Sequence, residues 1–460
     1  MNNAREIAGK ASLRDALVIG LSSSGPSQTL AVSLAGLVAV SGYAGAIPIV
    51  ICFLPMLGIA MAYQRLNRWD QSSGATYTWV ARIFHPYLGF LCGWMILLYY
   101  TLGTTTLSIP AGIYTLELLA PGYVDDRLAI FAVGAFWNLL ITVLAVLGLR
   151  VVARFEWLIV IFEYLVLIAA GALALHSLVA GRAAVPFSWQ WFSWSEMGEM
   201  KGLMGGILIA CFMYSGWDAA IYVNEETTDR VNSPGKAAVF SVMLLAGMYA
   251  FTTFAFQGVL SREELQTHAG NALSAIGRQL LPHPWDAAMA LVVLLGTLAS
   301  LQSAVLAASR VGSAMSRDRV MPAYFLKRTP TGTPWAATLT MCTLNLLLLG
   351  LALGSQSIGG ALANAASSLG LISIVFYGIT AAAALRQTRA HGREWLAGTL
   401  LPLCGVLFSV WVLIESLRSG AVSTVVLAYG LGSIALGVVV ALVLDRGFTV
   451  PFFRKTPGSA

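Results

Sequence analysis

What most limits how this chain can fold is a succession of about twelve apolar runs, at 15–41, 44–64, 86–118, 127–148, 154–178, 201–223, 235–260, 285–316, 335–354, 358–384, 395–417 and 422–444. Each is near the roughly 20 residues that cross a hydrocarbon core as a helix. The connections are mostly short, and no segment is long and polar enough to form a water-soluble domain. In lipid, backbone polar groups must be satisfied within the protein, so spanning segments are helices or closed barrels. These runs are continuous and do not alternate, which argues against a barrel. The expected fold class is an all-α integral membrane protein of about 12 transmembrane helices. Composition agrees, with 58% hydrophobic and only 10% charged residues, against about 25% charged in soluble proteins. That scarcity argues against a soluble enzyme, a nucleic-acid binder or a disordered scaffold.

The basic residues fix an expected orientation. With the N-terminus inside, the outer connections hold Arg127, Arg182, Lys201, Arg262, Arg278 and Arg418. The other 21 of the 27 Lys and Arg fall in inner segments. They run from Arg5, Lys10 and Arg14, through Arg386, Arg389 and Arg393, to Arg446, Arg454 and Lys455. Cytoplasmic loops carry such an excess. The expected location is the cell membrane, multi-pass with both termini cytoplasmic, and specifically the bacterial inner membrane. The formal charge of +6 then reads as topology and contact with anionic lipid, not as nucleic-acid binding.

Cys52, Cys92, Cys211, Cys342 and Cys404 all lie in apolar runs and read as small buried hydrophobes. The five histidines are scattered, and none sits in a metal-binding pattern. No metal and no cofactor is expected. An intramembrane enzyme would need a nucleophile–base or metal constellation, and none is visible.

Two runs are interrupted at their middles. The first holds Ser22-Ser23-Ser24-Gly25-Pro26-Ser27. Proline removes a donor and clashes with the preceding turn, and serines offer the backbone competing hydrogen bonds. The sixth holds Cys211-Phe212-Met213-Tyr214-Ser215-Gly216-Trp217-Asp218. Irregular backbone at membrane depth is tolerated only inside protein or beside a water-filled cavity. Paired interruptions in two halves of a chain point to a transporter binding site. Runs one and six correspond if the chain is two inverted five-span repeats plus two extra helices. Half-helix N-termini suit a carboxylate, and freed carbonyls suit an ammonium group or a cation. A proline kink in an ordinary bundle helix is the plainer account of the first interruption alone.

Two of the 21 acids lie clearly mid-span, Glu163 and Asp218. Glu117, Asp286 and Glu415 lie near span ends. A buried ionised carboxylate costs on the order of several kcal/mol unless paired or hydrated. A group that changes charge as a cavity opens and closes is what proton coupling needs. Glu163 and Asp218 are therefore the candidate coupling groups. A neutral acid hydrogen-bonded to a neighbouring helix and a helix cap are their respective structural roles. Tyr99, Tyr100, Thr101 and Thr104 to Thr106 in span three, Thr297, Ser300, Gln302 and Ser303 in span eight, and Asn364, Ser367 and Ser368 in span ten could line a cavity. Back-bonding of Ser and Thr to their own helix is the competing account.

Three segments carry a resemblance. They are Ser73-Gly74-Ala75-Thr76-Tyr77-Thr78-Trp79 with His85-Pro86-Tyr87; Phe212 to Asp218 with Asn224-Glu225-Glu226-Thr227 and Pro234-Gly235; and Ala308-Ser309-Arg310-Val311 with Ser316-Arg317-Asp318. In this order and spacing the chain resembles the amino acid–polyamine–organocation superfamily of transporters over essentially its whole length. The resemblance implies a five-plus-five inverted repeat with broken helices one and six and two extra C-terminal helices. The expected division is a cytoplasmic segment 1–14, repeats at 15–178 and 201–384, extra helices at 395–444 and a cytoplasmic tail at 445–460. It also implies alternating access around a site among spans one, three, six, eight and ten. By carry-over, backbone at Ser23, Ser24, Gly25 and Pro26 receives a substrate carboxylate. Carbonyls near Leu21 and Ser22, and near Phe212 and Tyr214, receive its ammonium. Phe212 is an aromatic gate, followed by Ser215, Gly216 and Trp217 of the break. Tyr100 and Thr104 fall on substrate-facing positions of span three, and Ser300 falls on the span-eight position of the binding site that faces the broken span one.

The chain departs from the family in span one, which is serine-rich where the family is glycine-rich. In span five, Gly148-Leu149-Arg150 and Ala153-Arg154-Phe155 align with the family, and Glu163 falls where many proton-coupled members carry a lysine. The span-six string also looks like that of polyamine-transporting relatives. The expected function is a secondary transporter that imports an amino acid or related amine with protons. Its expected partners are a small-molecule substrate, protons and membrane lipid, and its expected state is a monomer or weak dimer. An obligate exchanger and a cationic-amine uptake carrier are the alternatives; a channel and a solute sensor rank below them.

Overall fold

A computed structural model describes residues 11–147, 149–330, 332–354, 357–387, 395–418, 420 and 422–454. Arg5, Lys10, Gly148, Arg389, Arg393 and Lys455 lie outside the described residues. The described chain is helical, with a single backbone bridge between Ala11 and Thr227 in place of any strand.

Span one is two helices, Leu13–Ser24 and Pro26–Ser41. Span two is Ala46–Trp69, span three Pro86–Leu119, span four Arg127–Leu147 and span five Leu149–Val179. Span six is broken into Glu199–Met213 and Ala219–Tyr222. Span seven is Ser233–Phe256, span eight Ala287–Arg317, span nine Trp335–Ala352 and span ten Ile358–Gln387. Spans eleven and twelve are Leu396–Arg418 and Thr424–Gly447. Eleven of these stretches are long and apolar enough to cross a membrane. Span six is the twelfth, and it falls short only because its apolar helix stops at Met213.

Local sequence sets these helices. Ser12 and Asp15 form a reciprocal capping box that starts span one. Pro86 opens span three and Pro26 opens the second half of span one, where a missing N–H costs nothing.

Packing follows a pattern. The first half of span one packs on spans five and seven, and the first half of span six packs on spans ten and two. Spans two and seven pack on each other, as do three and eight. Exchanging spans one to five with six to ten maps this set onto itself. Of the eleven long apolar stretches, spans one, eight and ten are the most enclosed and span twelve the least, and span six is buried at nearly every position from Gly202 to Tyr222. Spans four, five, eleven and twelve expose Leu139, Leu165, Leu407 and Val439 among others, an apolar outer surface suited to lipid.

Both ends of the described chain lie on one face. Ala11 pairs with Thr227 after span six, while Phe452 stacks on Tyr77 and Phe453 packs against Tyr87 and Phe90 before and within span three. We call this the terminal face.

Candidate functional site

The interruption of span one is narrower than the run of serines suggests. Helix continues to Ser24 and resumes at Pro26, and Gly25 alone is left-handed, at φ 44°. Its N–H closes the first half on the Leu21 carbonyl at 2.8 Å. The Ser22 carbonyl accepts from Ser300 Oγ at 2.6 Å, and the Ser24 carbonyl accepts from Thr29 Oγ1 at 2.6 Å. The carbonyls expected to be free at Leu21 and Ser22 thus have partners in this conformation.

The N-terminus of the second half is also occupied. Pro26 has no N–H, and the Ser27 N–H and hydroxyl both donate to Glu163 Oε1 at 2.6 Å. Glu163 is fully buried, and its other oxygen, Oε2, has no partner. A carboxylate of the protein itself therefore sits on the positive end of the half-helix, where such an end holds anions.

Span six breaks over more residues. Ser215 N–H and Oγ both donate to the Phe212 carbonyl, at 2.9 and 2.6 Å, and Gly216 adopts φ 98°. The two breaks touch back to back. A Cβ on Gly216 would lie 2.9 Å from the Ser23 carbonyl oxygen and 3.1 Å from Ser24 N. Only glycine fits both that approach and that backbone angle. Trp217 and Tyr214 are fully buried, and the Trp217 Nε1, the Tyr214 hydroxyl and the Ser22 hydroxyl lack partners. Buried polar atoms seldom lack a partner, and these three belong to residues in or beside the two breaks.

Asp218 lies just beyond the break, fully buried. Tyr100 and Tyr377 hydroxyls donate to its Oδ1 at 3.2 and 2.8 Å, and Tyr222 donates to its Oδ2 at 2.8 Å. Around it Trp217 stacks on Tyr377 at 5.2 Å and meets Tyr63 edge-on at 5.1 Å. Among the described residues no basic side chain pairs with Asp218. Tyr99 meets Ser215 through their hydroxyls.

Of the remaining expected residues, Thr104 bonds back to the Thr101 carbonyl at 2.8 Å. Thr101 and Thr106 bond back to their own helix in the same way, so much of the polar stripe of span three serves its own backbone. Phe212 lies near the junction, largely buried. One turn above it, Leu208 and Ile209 help line a cavity of about 740 Å³ with Gly36, Asn271, Asn364 and Ser367. That cavity occupies the half of the molecule away from the terminal face.

The terminal face is closed by the segments that carry the resemblance. Arg310 of span eight pairs with both oxygens of Glu226, at 2.7 and 3.1 Å. Arg317 pairs with Glu225 at 3.0 Å and donates to Ser73 Oγ at 2.9 Å. Tyr77 donates to Asp318 at 2.8 Å. The three motifs thus meet at one closure.

Several residues of this arrangement escape a reading of the sequence. Tyr63, Tyr222 and Tyr377 stand in apolar runs with no periodic signal to single them out. Ser27 has one, because it directly follows the Gly-Pro break. Glu156 has another. It is a third buried acid within a span, 3% exposed, seven residues before Glu163 and so on the same helix face, which corrects the count of two mid-span acids.

Comparison with known proteins agrees with this geometry. The model of the amino acid permease family matches residues 14–443. The chain is similar to the low-affinity putrescine importer PlaP of Escherichia coli (strain K12), 24% identical over 434 residues and 88% of each chain. It is similar to the large neutral amino acids transporter small subunit 2 of Homo sapiens, 25% identical over 85% of this chain and 71% of that one. A third relative is the branched-chain amino acid permease BcaP of Bacillus subtilis (strain 168), 26% identical over 66% of each. With two touching helix breaks, a multi-pass apolar exterior and a family match spanning nearly its whole length, the chain belongs to the amino acid permease family of membrane transporters, within the amino acid–polyamine–organocation superfamily.

Proposed function

We propose that the protein imports an amino acid or related amine by alternating access, driven by protons, across the bacterial inner membrane with its terminal face in the cytoplasm. The repeats are residues 15–178 and 201–384, with 395–444 added as two further helices. The observation that carries this reading is the contact between the two breaks, Gly216 against Ser23 and Ser24, with Glu163 capping the second half of span one. Glu163 is the coupling group. Neutral, it keeps one acceptor for Ser27; ionised, it needs the half-helix N-terminus or water, so its charge is tied to how the break is packed. The 740 Å³ cavity on one side and ion-paired closure on the other support an outward-open, inward-closed state.

The test is uptake into liposomes under an imposed pH gradient. Glu163→Gln is expected to abolish accumulation while leaving counterflow of the same solute, because the neutral amide still occupies the site but cannot carry a proton. Gradient-driven accumulation by this variant at the wild-type level would discard the assignment.

A second reading is favoured by Asp218. An acid with no basic partner among the described residues, ringed by Tyr63, Tyr100, Trp217, Tyr222 and Tyr377, suits an ammonium group, by charge and by ring faces. The protein's own Glu163 holds a half-helix N-terminus that would otherwise suit a substrate carboxylate. A cationic amine, as in the putrescine importer to which the chain is similar, meets both conditions. A ligand at about 100 times its Kd stabilises the folded state by about 2.7 kcal/mol. Putrescine is therefore expected to raise the melting temperature more than leucine does, and Asp218→Asn is expected to erase the putrescine shift. A larger leucine shift that survives Asp218→Asn would discard the amine.

A further inference from the structure

We propose that Glu156 is the group through which the coupling proton leaves Glu163 toward the terminal face, a reading that rests on the proton coupling proposed above. Span five presents one buried stripe, Glu156, Val160, Glu163, Leu167, Ala170 and Ala174, while Leu158, Ile161, Leu165 and Ile168 face outward. An ordinary lipid-facing helix buries apolar residues on such a stripe; this one buries two acids. Both face span eight. Glu163 lies against Gly296, and Glu156 accepts from Ser303 Oγ at 3.5 Å. The intervals match, seven residues on each helix running in opposite senses, and Ser300 lies on the same stripe of span eight between them. That stripe continues to Arg310, whose pairing with Glu226 closes the terminal face.

The seam therefore runs from the span-one break to the closure, with an acid at its start and another about 10 Å along, at 1.5 Å per residue. Its side chains are buried, and Glu163 Oε2 is without a partner. Among the described residues the titratable groups facing Glu163 are Tyr164 of its own helix and Tyr249 of span seven, and Glu156 faces Ser303 with no charged neighbour. Among the described residues no basic side chain pairs with either acid.

The step balances. The protonated Glu163 carboxyl gives its proton, through water admitted as the closure opens and the Ser303 hydroxyl, to the Glu156 carboxylate. Glu163 becomes ionised and Glu156 neutral. Glu156 then releases the proton to water on the terminal face and is ready for the next cycle.

The experiment uses the full-length protein in liposomes with a trapped pH-sensitive dye, and leucine and putrescine as the two probes. Glu156→Gln is expected to lower probe-linked proton entry by about 100-fold or more, the scale of a lost proton-transfer group, and gradient-driven accumulation with it, with counterflow unchanged. Glu156→Asp is expected to restore coupling with a displaced pH profile, which a purely structural acid would not do. Should Glu156→Gln fail to fold, Ser303→Ala tests the same seam and is expected to slow proton entry but not counterflow. Wild-type accumulation by Glu156→Gln, or by Ser303→Ala where it stands in, overturns the relay alone. A wild-type protein indifferent to the pH gradient for both probes overturns the coupling reading itself, and the relay with it.

Discussion

Replacing Gly216 by alanine is expected to abolish transport and to lower the melting temperature of the purified protein. The residue stands at φ 98°, where an L side chain costs about 1–3 kcal/mol. Its Cβ would meet the Ser23 carbonyl oxygen at 2.9 Å, the Ser23 carbonyl carbon at 3.0 Å and Ser24 N at 3.1 Å. These are backbone atoms of a helix end and cannot swing aside as a flexible side chain does. Overpacking of this kind costs about 1–3 kcal/mol, so the two terms together reach about 2–6 kcal/mol. The protein can avoid that cost only by drawing spans one and six apart, which dismantles the junction. Uptake and thermal melting should be measured beside Gly103→Ala in span three. A Cβ there meets nothing within 4 Å, and the change is expected to be neutral or to stabilise by up to about 1 kcal/mol through helix propensity. Transport by Gly216→Ala at the Gly103→Ala rate would show that the two breaks need not touch for function.

That contact also marks the limit of what sequence alone conveys. The spans were legible because lipid imposes one rule on every residue of a spanning segment, and the apolar runs follow it. The breaks were legible because Gly25-Pro26 and Ser215-Gly216 are poor helix formers in the middle of such runs. Their partners were not. That Gly216 rests on Ser23, that Ser27 is capped by Glu163 and that three tyrosines from spans three, six and ten converge on Asp218 all depend on helix rotation and on contacts between residues far apart in the chain. The extent of the first break misled for a related reason. Three serines before a proline look like unwound chain, yet Ser24 bonds back to the Gly20 carbonyl at 3.0 Å and keeps the helix intact until Gly25. Glu156 lay near the edge of its apolar run, where an acid reads as interfacial. Its stripe spacing with Glu163 was the signal available.

The other large effect is expected at Arg310, where Arg310→Met should shift the protein toward a state open on the terminal face. The Arg310 side chain is 6% exposed and that of Glu226 is 26%. Breaking a fully buried pair by removing one partner costs about 3–5 kcal/mol, and partial exposure of Glu226 reduces this to about 2 kcal/mol, since a surface pair contributes at most about 1. The lost energy belongs to the closed state, so the ratio of open to closed rises by about thirtyfold. A cysteine placed at Ser313, buried on span eight one turn beyond Arg310, reports the change in a background free of native cysteines. Its labelling by a membrane-impermeant maleimide from the terminal side is expected to quicken by about tenfold or more in Arg310→Met. Adding Glu226→Gln should recover part of the closure, because the unpaired carboxylate, more than the missing attraction, carries the cost. Acidity gives the discriminating control. Burial pushes the Glu225 carboxyl up, but Arg317 and Ser73 outweigh it and hold the group below its usual range. A depressed pKa means the second ion pair stabilises closure at all pH above the unfolded value of about 4.3, and is lost only as pH falls below it. Divided by the rate of a solvent-exposed reference thiol, which removes the pH dependence of the thiolate itself, labelling is therefore expected to be flat between about pH 5.5 and 7.5, with and without Arg310→Met, in a background carrying both Glu163→Gln and Glu156→Gln. A pH-dependent closure in that background would place the proton switch at the terminal ion pairs and not at the acids of span five.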